Sequence, residues 1–160
     1  MTPGVKLHRM LIADTTPMIA QGLKLLLNDG SLPVLVGISS CRIELMDRLQ
    51  HSKTDLLILD PAFVQRDLDL GNMDSIASLS HRFPRLSILL HTTVTDPQLL
   101  EKMSKLDRFS IASKADELQD VVQIVRRLLK GETDIMSPKT ERMICQARSL
   151  RRLLPELYAF

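Results

Sequence analysis

Short apolar runs alternate with segments of helical spacing over residues 8–131, and this alternation limits the possible folds more than any other feature of the sequence. Turn or polar residues bound each run. Runs of this kind are typical of strands that are buried on both faces, as in a parallel sheet. The predicted strands are Met10–Ala13, Val34–Ile38, Leu56–Leu59, Ile88–Leu90 and, more weakly, Phe109–Ala112.

The segments between these runs carry apolar residues at helical spacing. The first helix is predicted to begin at Thr16-Pro17, since a capping residue followed by proline is a common helix start, and to end at Asn28-Asp29-Gly30. The clearest pattern covers Asp116–Lys130, and Gly131 ends it. The remaining helices are predicted at Ser40–Leu49, at Asp74–Phe83 before Pro84, and from Asp96-Pro97 through Met103.

Five strands that alternate with five helices predict an α/β fold, because right-handed crossovers place helices on both faces of a parallel sheet. A span of about 125 residues suits a flavodoxin-like, doubly wound domain. We therefore expect a five-stranded parallel sheet of order 2-1-3-4-5 in a domain over residues 1–131. The functional crevice should lie at the carboxyl ends of the strands.

Residues 132–160 form a separate segment, which we predict to be a linker or an extra helix. The helix should begin at Ser137-Pro138 and run to about Leu154, where Pro155 ends it. Its apolar face requires either the surface of the domain or a second copy of the chain. Its arginines are interpreted as a solvated face rather than a DNA contact. The apolar ending Leu157–Phe160 favours a chain cut at a linker over a stand-alone module.

The composition excludes several classes of protein. The 160 residues carry 21 Lys and Arg against 19 Asp and Glu, and a formal charge of +2 is too small for a nucleic-acid coat or a polybasic membrane protein. Cys41 and Cys145 cannot build a disulfide scaffold. No apolar run approaches the roughly 18–20 residues that span a bilayer, and Met1–Met10 lacks a signal-peptide core. We expect a cytoplasmic protein whose core is aliphatic, because the chain has four Phe, one Tyr and no Trp.

Four polar side chains fall at the carboxyl ends of the predicted strands. Asp14 follows the first strand, Asp60 the third, Thr92 the fourth and Lys114 the fifth. Asp14 and Asp60 could hold a hard cation such as magnesium through oxygen ligands. Lys114 and Thr92 could pair with an anionic group on Asp60, which is chemistry suited to a phosphorylated aspartate.

The segments that carry these residues resemble the receiver domains of bacterial two-component response regulators. In detail they are most similar to the receivers of NarL/LuxR-type transcription factors. The resemblance covers about residues 8–131, and the order of four separate positions carries it. The matching segments are Leu11–Asp14 with Pro17 following, Leu57–Pro61, Leu89–Thr92 and Ala112–Ala115.

The resemblance implies a role for each of the four residues. Asp60 corresponds to the phosphoacceptor, Thr92 to the switch hydroxyl and Lys114 to the phosphate-pairing lysine, while Asp14 and Asp60 correspond to magnesium ligands. A histidine kinase or phosphotransfer protein would then supply the phosphate.

The resemblance also implies an output surface. It would comprise Asp96–Lys105, Phe109–Ala112 and Asp116–Lys130, and would act through a homodimer or a partner regulator rather than through enzymatic activity. DNA would be contacted only through a C-terminal helix-turn-helix domain, which these 160 residues do not contain.

The chain departs from the receiver pattern around the magnesium site. Receivers usually carry two adjacent acids after the first strand, whereas Asp14 is followed by Thr15. The loss of one carboxylate should lower magnesium affinity by about tenfold or more. The loop after Asp60 is altered at Pro61-Ala62-Phe63, and the segment from Gln65 to Asn72 is long and acidic. Ala115 and Ile111 stand where many receivers have a cis proline and an aromatic switch residue.

These departures favour a pseudo-receiver, which signals through dimerisation or partner contacts with an impaired magnesium and phosphate pocket. A phosphorylation-competent receiver that uses Asp60 is the main alternative. An ion pair of Lys114 with Asp14 or Asp60 that only stabilises the crevice would give the same sequence pattern. A flavodoxin-like cofactor-binding protein is a further alternative, although aromatic residues to stack on a flavin are scarce. The four histidines show no metal-ligand spacing, which favours surface or structural roles; they are His8, His51, His81 and His91.

Overall fold

A computed structural model of the chain describes residues 6–65 and 72–154. The predicted features within residues 66–71 and 155–160 lie outside the described residues. These features are most of the acidic loop before Asn72 and the apolar ending Leu157–Phe160.

Five parallel strands form a single sheet of order β2-β1-β3-β4-β5, which confirms the predicted topology. Each predicted apolar run lies within a strand, and β3 is buried along its whole length, as a central strand with helices on both faces must be. The strands are β1 (His8–Ala13), β2 (Val34–Ile38), β3 (Leu56–Leu59), β4 (Ser87–Thr92) and β5 (Phe109–Ser113).

Six α-helices accompany the sheet in the described part of the chain. They are α1 (Pro17–Leu27), α2 (Arg42–His51), α3 (Asp74–Arg82), α4 (Pro97–Ser104), α5 (Leu118–Leu129) and α6 (Pro138–Leu153). A short 3-10 turn, Pro61–Phe63, follows β3 directly, and Asp60 caps it by accepting a hydrogen bond from the Ala62 amide. This turn was not predicted.

Helix α5 begins two residues later than the sequence pattern predicts. The helix is predicted from Asp116, but the carboxylate of this residue accepts a hydrogen bond from the Ser113 amide, and its own amide donates to the Ser113 carbonyl. These two bonds close a turn over Ser113–Asp116. The helix therefore begins at Leu118, after Glu117.

Two hydrophobic cores lie on opposite faces of the sheet. Both are mainly aliphatic, as the scarcity of aromatic residues predicts. Helices α1 and α5 cover one core, and α2, α3, α4 and α6 cover the other. Phe109 is the largest fully buried side chain. None of the helices in the described ranges is long and apolar enough to cross a membrane.

Helix α6 packs against α4 and β5. Ile144 and Ala147 on its apolar face are buried, so the domain surface itself takes up that face. The segment before the helix runs along the free edge of β5. There the Ile111 amide donates to the Ile135 carbonyl at 2.9 Å, and the Ser137 amide donates to the Ile111 carbonyl at 2.9 Å.

Candidate functional site

The carboxyl ends of β1, β3 and β5 bring Asp14, Asp60 and Lys114 into direct contact. The Lys114 Nζ lies 2.8 Å from Asp14 Oδ1 and 2.7 Å from Asp60 Oδ2, so one ammonium group donates to both carboxylates. The three side chains are almost inaccessible, with 7% of Lys114, 1% of Asp14 and 7% of Asp60 exposed. We refer to these three residues as the charged triad.

Parallel topology explains why residues so far apart in sequence meet. Strand β3 lies between β1 and β4, and β4 lies beside β5, so the carboxyl ends of these strands form one edge of the sheet. The Asp60 amide donates to the Ala13 carbonyl at 2.8 Å, and the Lys114 amide donates to the Thr92 carbonyl at 2.8 Å. These backbone bonds fix Asp60 beside β1 and Lys114 beside β4, and the side chains then reach one another across the edge.

Hydrogen bonds occupy most of the carboxylate oxygens of the triad. Asp14 Oδ1 also accepts from the Thr16 amide at 2.8 Å. Asp60 Oδ2 also accepts from the Thr15 hydroxyl at 2.7 Å, and Asp60 Oδ1 accepts from the Ala62 amide at 3.0 Å. Thr15, which stands in place of the usual second acid, therefore acts as a neutral hydrogen-bond donor to Asp60.

These contacts shift the protonation equilibria of Asp60 and Lys114. Burial alone would raise the pKa of Asp60, but hydrogen bonds from Lys114, Thr15 and the Ala62 amide outweigh it and lower that pKa. Burial likewise opposes the charge on Lys114. The hydrogen bonds to Asp14 and Asp60 outweigh it and raise the pKa of the ammonium. Both groups are therefore charged at neutral pH.

Thr92 lies at the end of β4 and is 2% exposed. Its hydroxyl oxygen accepts a hydrogen bond from the Val94 amide at 3.0 Å, and its carbonyl oxygen accepts from the Lys114 amide. Thr92 thus borders the charged triad through the backbone of Lys114.

His91 is a residue of the site that the sequence pattern did not identify. It is 1% exposed, its Nδ1 lies 4.0 Å from Asp14 Oδ2, and neither ring nitrogen has a hydrogen-bond partner among the described residues. Burial lowers the pKa of His91 and outweighs the opposite effect of the Asp14 carboxylate. The available signal was the place of His91 directly after the predicted strand Ile88–Leu90, at the edge of the sheet where Asp14 follows the first strand.

The carboxylate oxygens of the triad are only partly available to a magnesium ion. Magnesium requires near-octahedral oxygen coordination with short bonds, whereas three of the four triad carboxylate oxygens already accept hydrogen bonds. No group of three or more His, Cys, Asp or Glu side chains suited to a metal ion occurs within residues 6–65 and 72–154. The free thiols Cys41 and Cys145 are both exposed.

Comparison with known proteins gives a distant relative and a set of similar structures. No known protein-family model matches the chain. The transcriptional activator protein ExaE of Pseudomonas putida is 27% identical over 138 residues, which are 86% of this chain and 62% of that protein. This chain therefore spans less than two thirds of the length of its curated relative.

Solved structures of RcsB resemble the chain over most of its length. The isolated REC domain of RcsB from Salmonella enterica serovar Typhimurium, in the presence of phosphomimetic BeF3−, has a TM-score of 0.75 at 23% identity and covers 87% of this chain and 99% of that one. A structure of two RcsB dimers bound to two parallel DNAs has a TM-score of 0.72 at 23% identity and covers 87% and 68%. The predicted resemblance to receivers is thereby confirmed at the level of architecture: this chain has the receiver fold.

Proposed function

We propose that the chain is a pseudo-receiver, a signalling module of a bacterial transcription regulator that acts through dimerisation or partner contacts and not through a phosphorylated aspartate. The observation that carries this proposal is the Lys114 ammonium between Asp14 and Asp60, at 2.8 and 2.7 Å. The two carboxylates are thus balanced by a cation of the chain itself.

The state of Asp60 supports the same conclusion. A carboxylate that attacks a phosphorus centre needs an accessible oxygen with lone pairs free to form the new bond. Both oxygens of Asp60 accept hydrogen bonds, and its lowered pKa reflects a carboxylate that is strongly stabilised as it stands. Attack on phosphorus through Oδ2 would require that oxygen to give up contacts with Lys114 and Thr15, and attack through Oδ1 would compete with the hydrogen bond from the Ala62 amide.

Metal chemistry would not offset this loss. Phosphoryl transfer is catalysed chiefly by positioning and by charge stabilisation, to which a divalent ion contributes a large share. Thr15 supplies a hydroxyl where a third carboxylate would attract the ion, and that hydroxyl already donates to Asp60. The pocket is therefore impaired in both its metal and its nucleophile.

The place of the module in a transcription regulator is inferred from its relatives. ExaE is a transcriptional activator, and RcsB has been solved as dimers bound to DNA. We infer that this chain belongs to a regulator of that kind, that it forms a homodimer or binds a partner regulator, and that DNA is contacted by a separate domain. Sedimentation velocity at micromolar concentration should give the mass of a dimer, and a strictly monomeric protein would contradict self-association.

Mass spectrometry of the intact protein tests the central proposal. The chain is incubated with a small phosphodonor and magnesium, and we expect no phosphoryl adduct. The matched variant Thr15→Asp restores the second acid and should gain both magnesium binding and an adduct, which shows that the assay can detect one. A phosphoryl adduct on the unmodified chain that disappears in Asp60→Ala would overturn the proposal.

The principal alternative is a phosphorylation-competent receiver that uses Asp60, Thr92 and Lys114. The contact between Lys114 and Asp60 favours it, because the same ammonium could pair with a phosphoryl group on Asp60. The experiment above separates the two functions, since this alternative requires the adduct on the unmodified chain. A flavodoxin-like cofactor protein would instead bind added flavin, which absorption spectroscopy detects.

A further inference from the structure

We propose that helix α6 is mechanically coupled to the charged triad, so that the position of the C-terminal helix depends on the contacts of Lys114. The coupling would pass through the turn Ser113–Asp116, which we call the Lys114 turn, and through helix α4. It goes beyond the proposed function and does not depend on whether Asp60 accepts phosphate.

The first attachment joins the start of α6 to both residues that flank Lys114. The Lys139 ammonium donates to the Ala115 carbonyl at 2.7 Å, and the Ser113 amide donates to the Ser137 hydroxyl oxygen at 3.3 Å. Ser137 is also the N-cap of α6, where its hydroxyl oxygen accepts from the Thr140 amide. The residue that starts the helix is therefore bonded to the turn that carries the triad lysine.

The second attachment joins the end of α6 to helix α4. Glu101 of α4 has a side chain that is only 5% exposed, and its carboxylate accepts a hydrogen bond from Arg151. Arg148 lies 3.8 Å from the same carboxylate, and Lys105, the residue directly after α4, lies 3.5 Å from it. Because a buried carboxylate is costly when it is left unpaired, these arginines hold α6 on α4.

The two attachments lie on the two elements that border Thr92 and Lys114. Helix α4 follows the loop after β4, where the Val94 amide bonds to Thr92, and the Lys114 turn follows β5. The Lys114 amide also bonds to the Thr92 carbonyl. A displacement of Lys114 from its carboxylates therefore acts on one end of α6 directly and on its other end through α4.

Thermodynamic coupling of this kind must act in both directions. Loosening the triad should loosen α6, and loosening the α6–α4 contact should loosen the Lys114 turn. Helix α6 also covers part of α4 and β5, so its release would expose Ile144 and Ala147 together with the surface on which they pack. A change in the contacts of Lys114 would in this way expose an apolar surface on α4, β5 and α6 that could bind a partner.

Hydrogen–deuterium exchange of the full chain, read by mass spectrometry, tests the coupling in both directions. In Arg151→Gln, we expect exchange to rise about tenfold or more in residues 138–153, because a hydrogen bond to a charged group is lost. Exchange should also rise in the Lys114 turn, while helix α2, which follows the opposite edge strand β2, stays unchanged. The matched control is Arg152→Gln, since Arg152 is an exposed neighbour that is not a partner of Glu101.

The opposite direction uses Lys114→Met, in which α6 should exchange faster than in the unmodified chain. If circular dichroism shows that this variant does not fold, Lys139→Met decides the question. Lys139 is an exposed residue, and its loss should release the start of α6 and the Lys114 turn together.

The coupling is refuted if Arg151→Gln speeds exchange in α6 alone and leaves the Lys114 turn unchanged. A uniform rise over the whole chain, including α2, would also refute it, because it would reflect global destabilisation and not a specific connection. These results are independent of the phosphodonor experiment, so a failure of one proposal can be told apart from a failure of the other.

Discussion

Replacing Lys114 by Met should destabilise the protein strongly, because it leaves two buried carboxylates without their common cation. The Asp14 and Asp60 side chains are 1% and 7% exposed, and each carboxylate accepts a hydrogen bond from the Lys114 ammonium. Removing one partner of a buried ion pair typically costs about 3–5 kcal/mol. That loss is a large share of the roughly 5–15 kcal/mol by which a domain is usually stable.

The pH dependence of this loss gives a sharper test than its size. In the unmodified chain the pKa of Asp60 is lowered, so its contribution to stability is fully present above the unfolded value of 3.8 and is lost as the pH falls below it. In Lys114→Met, burial would no longer be outweighed and the pKa of Asp60 should rise above 3.8. The folded variant then takes up a proton on acidification, and its stability recovers as the pH falls.

Urea unfolding followed by circular dichroism measures both effects. We expect the difference in unfolding free energy between Lys114→Met and the unmodified chain to be about 3–5 kcal/mol near pH 7.5 and smaller near pH 5. The control is Lys6→Met, because Lys6 is 59% exposed and lies 3.6 Å from Asp55. Such a surface pair is worth no more than about 1 kcal/mol. Equal small losses in the two variants, or a loss in Lys114→Met that grows on acidification, would contradict the role of Lys114 as the common cation of the two carboxylates.

His91, Thr15 and the α6 cap Ser137 can each be tested without changing Lys114. Because burial lowers the pKa of His91, the free energy of unfolding should fall by up to about 1.4 kcal/mol per pH unit as the pH drops below the unfolded value near 6.5. Urea unfolding between about pH 7 and pH 5 measures this pH dependence, which should be absent in His91→Leu and present in the exposed control His81→Leu. Thr15→Asp should make the melting temperature rise with magnesium concentration, because an added acid attracts the ion and ligand binding stabilises the folded state. A melting temperature that does not change with magnesium would contradict the inference that Thr15 weakens the metal site. Ser137→Ala should lower the unfolding free energy by about 1–2 kcal/mol through loss of the α6 cap, whereas the exposed Ser149→Ala should change it little; equal losses in the two variants would contradict the role of the cap.

The sheet and most helices were predictable because their local signals agree. Apolar runs such as Leu56–Leu59 are bounded by polar residues, and helices such as α4 begin with a capping acid before proline. The meeting of Asp14, Asp60 and Lys114 was predictable for a topological reason. Residues that end parallel strands must lie at one edge of the sheet, whatever their separation in sequence.

The packing partner of α6, the start of α5 and the place of His91 depend on tertiary contacts that the sequence pattern does not determine. The stripe of α6 indicates only that Ile144 and Ala147 are buried, and it does not choose between the domain surface and a second chain. Asp116 could cap a helix or close a turn, and the Ser113 amide decides for the turn. His91 shows no ligand spacing, and its nearness to Asp14 follows only once β1, β3 and β4 are placed side by side.

Thr15 changes the charge balance of the crevice by more than the absence of one acid indicates. A second acid beside Asp14 would add a third carboxylate to a buried site with one lysine, and such a site needs a divalent cation to offset the repulsion. Thr15 removes that repulsion and also donates a hydrogen bond to Asp60. With Lys114, Thr15 and the amides of Thr16 and Ala62 as donors, the two carboxylates are compensated within the chain itself. From this internal compensation we infer that the crevice gains little from a metal ion, and that a signal acting on the triad would displace Lys114.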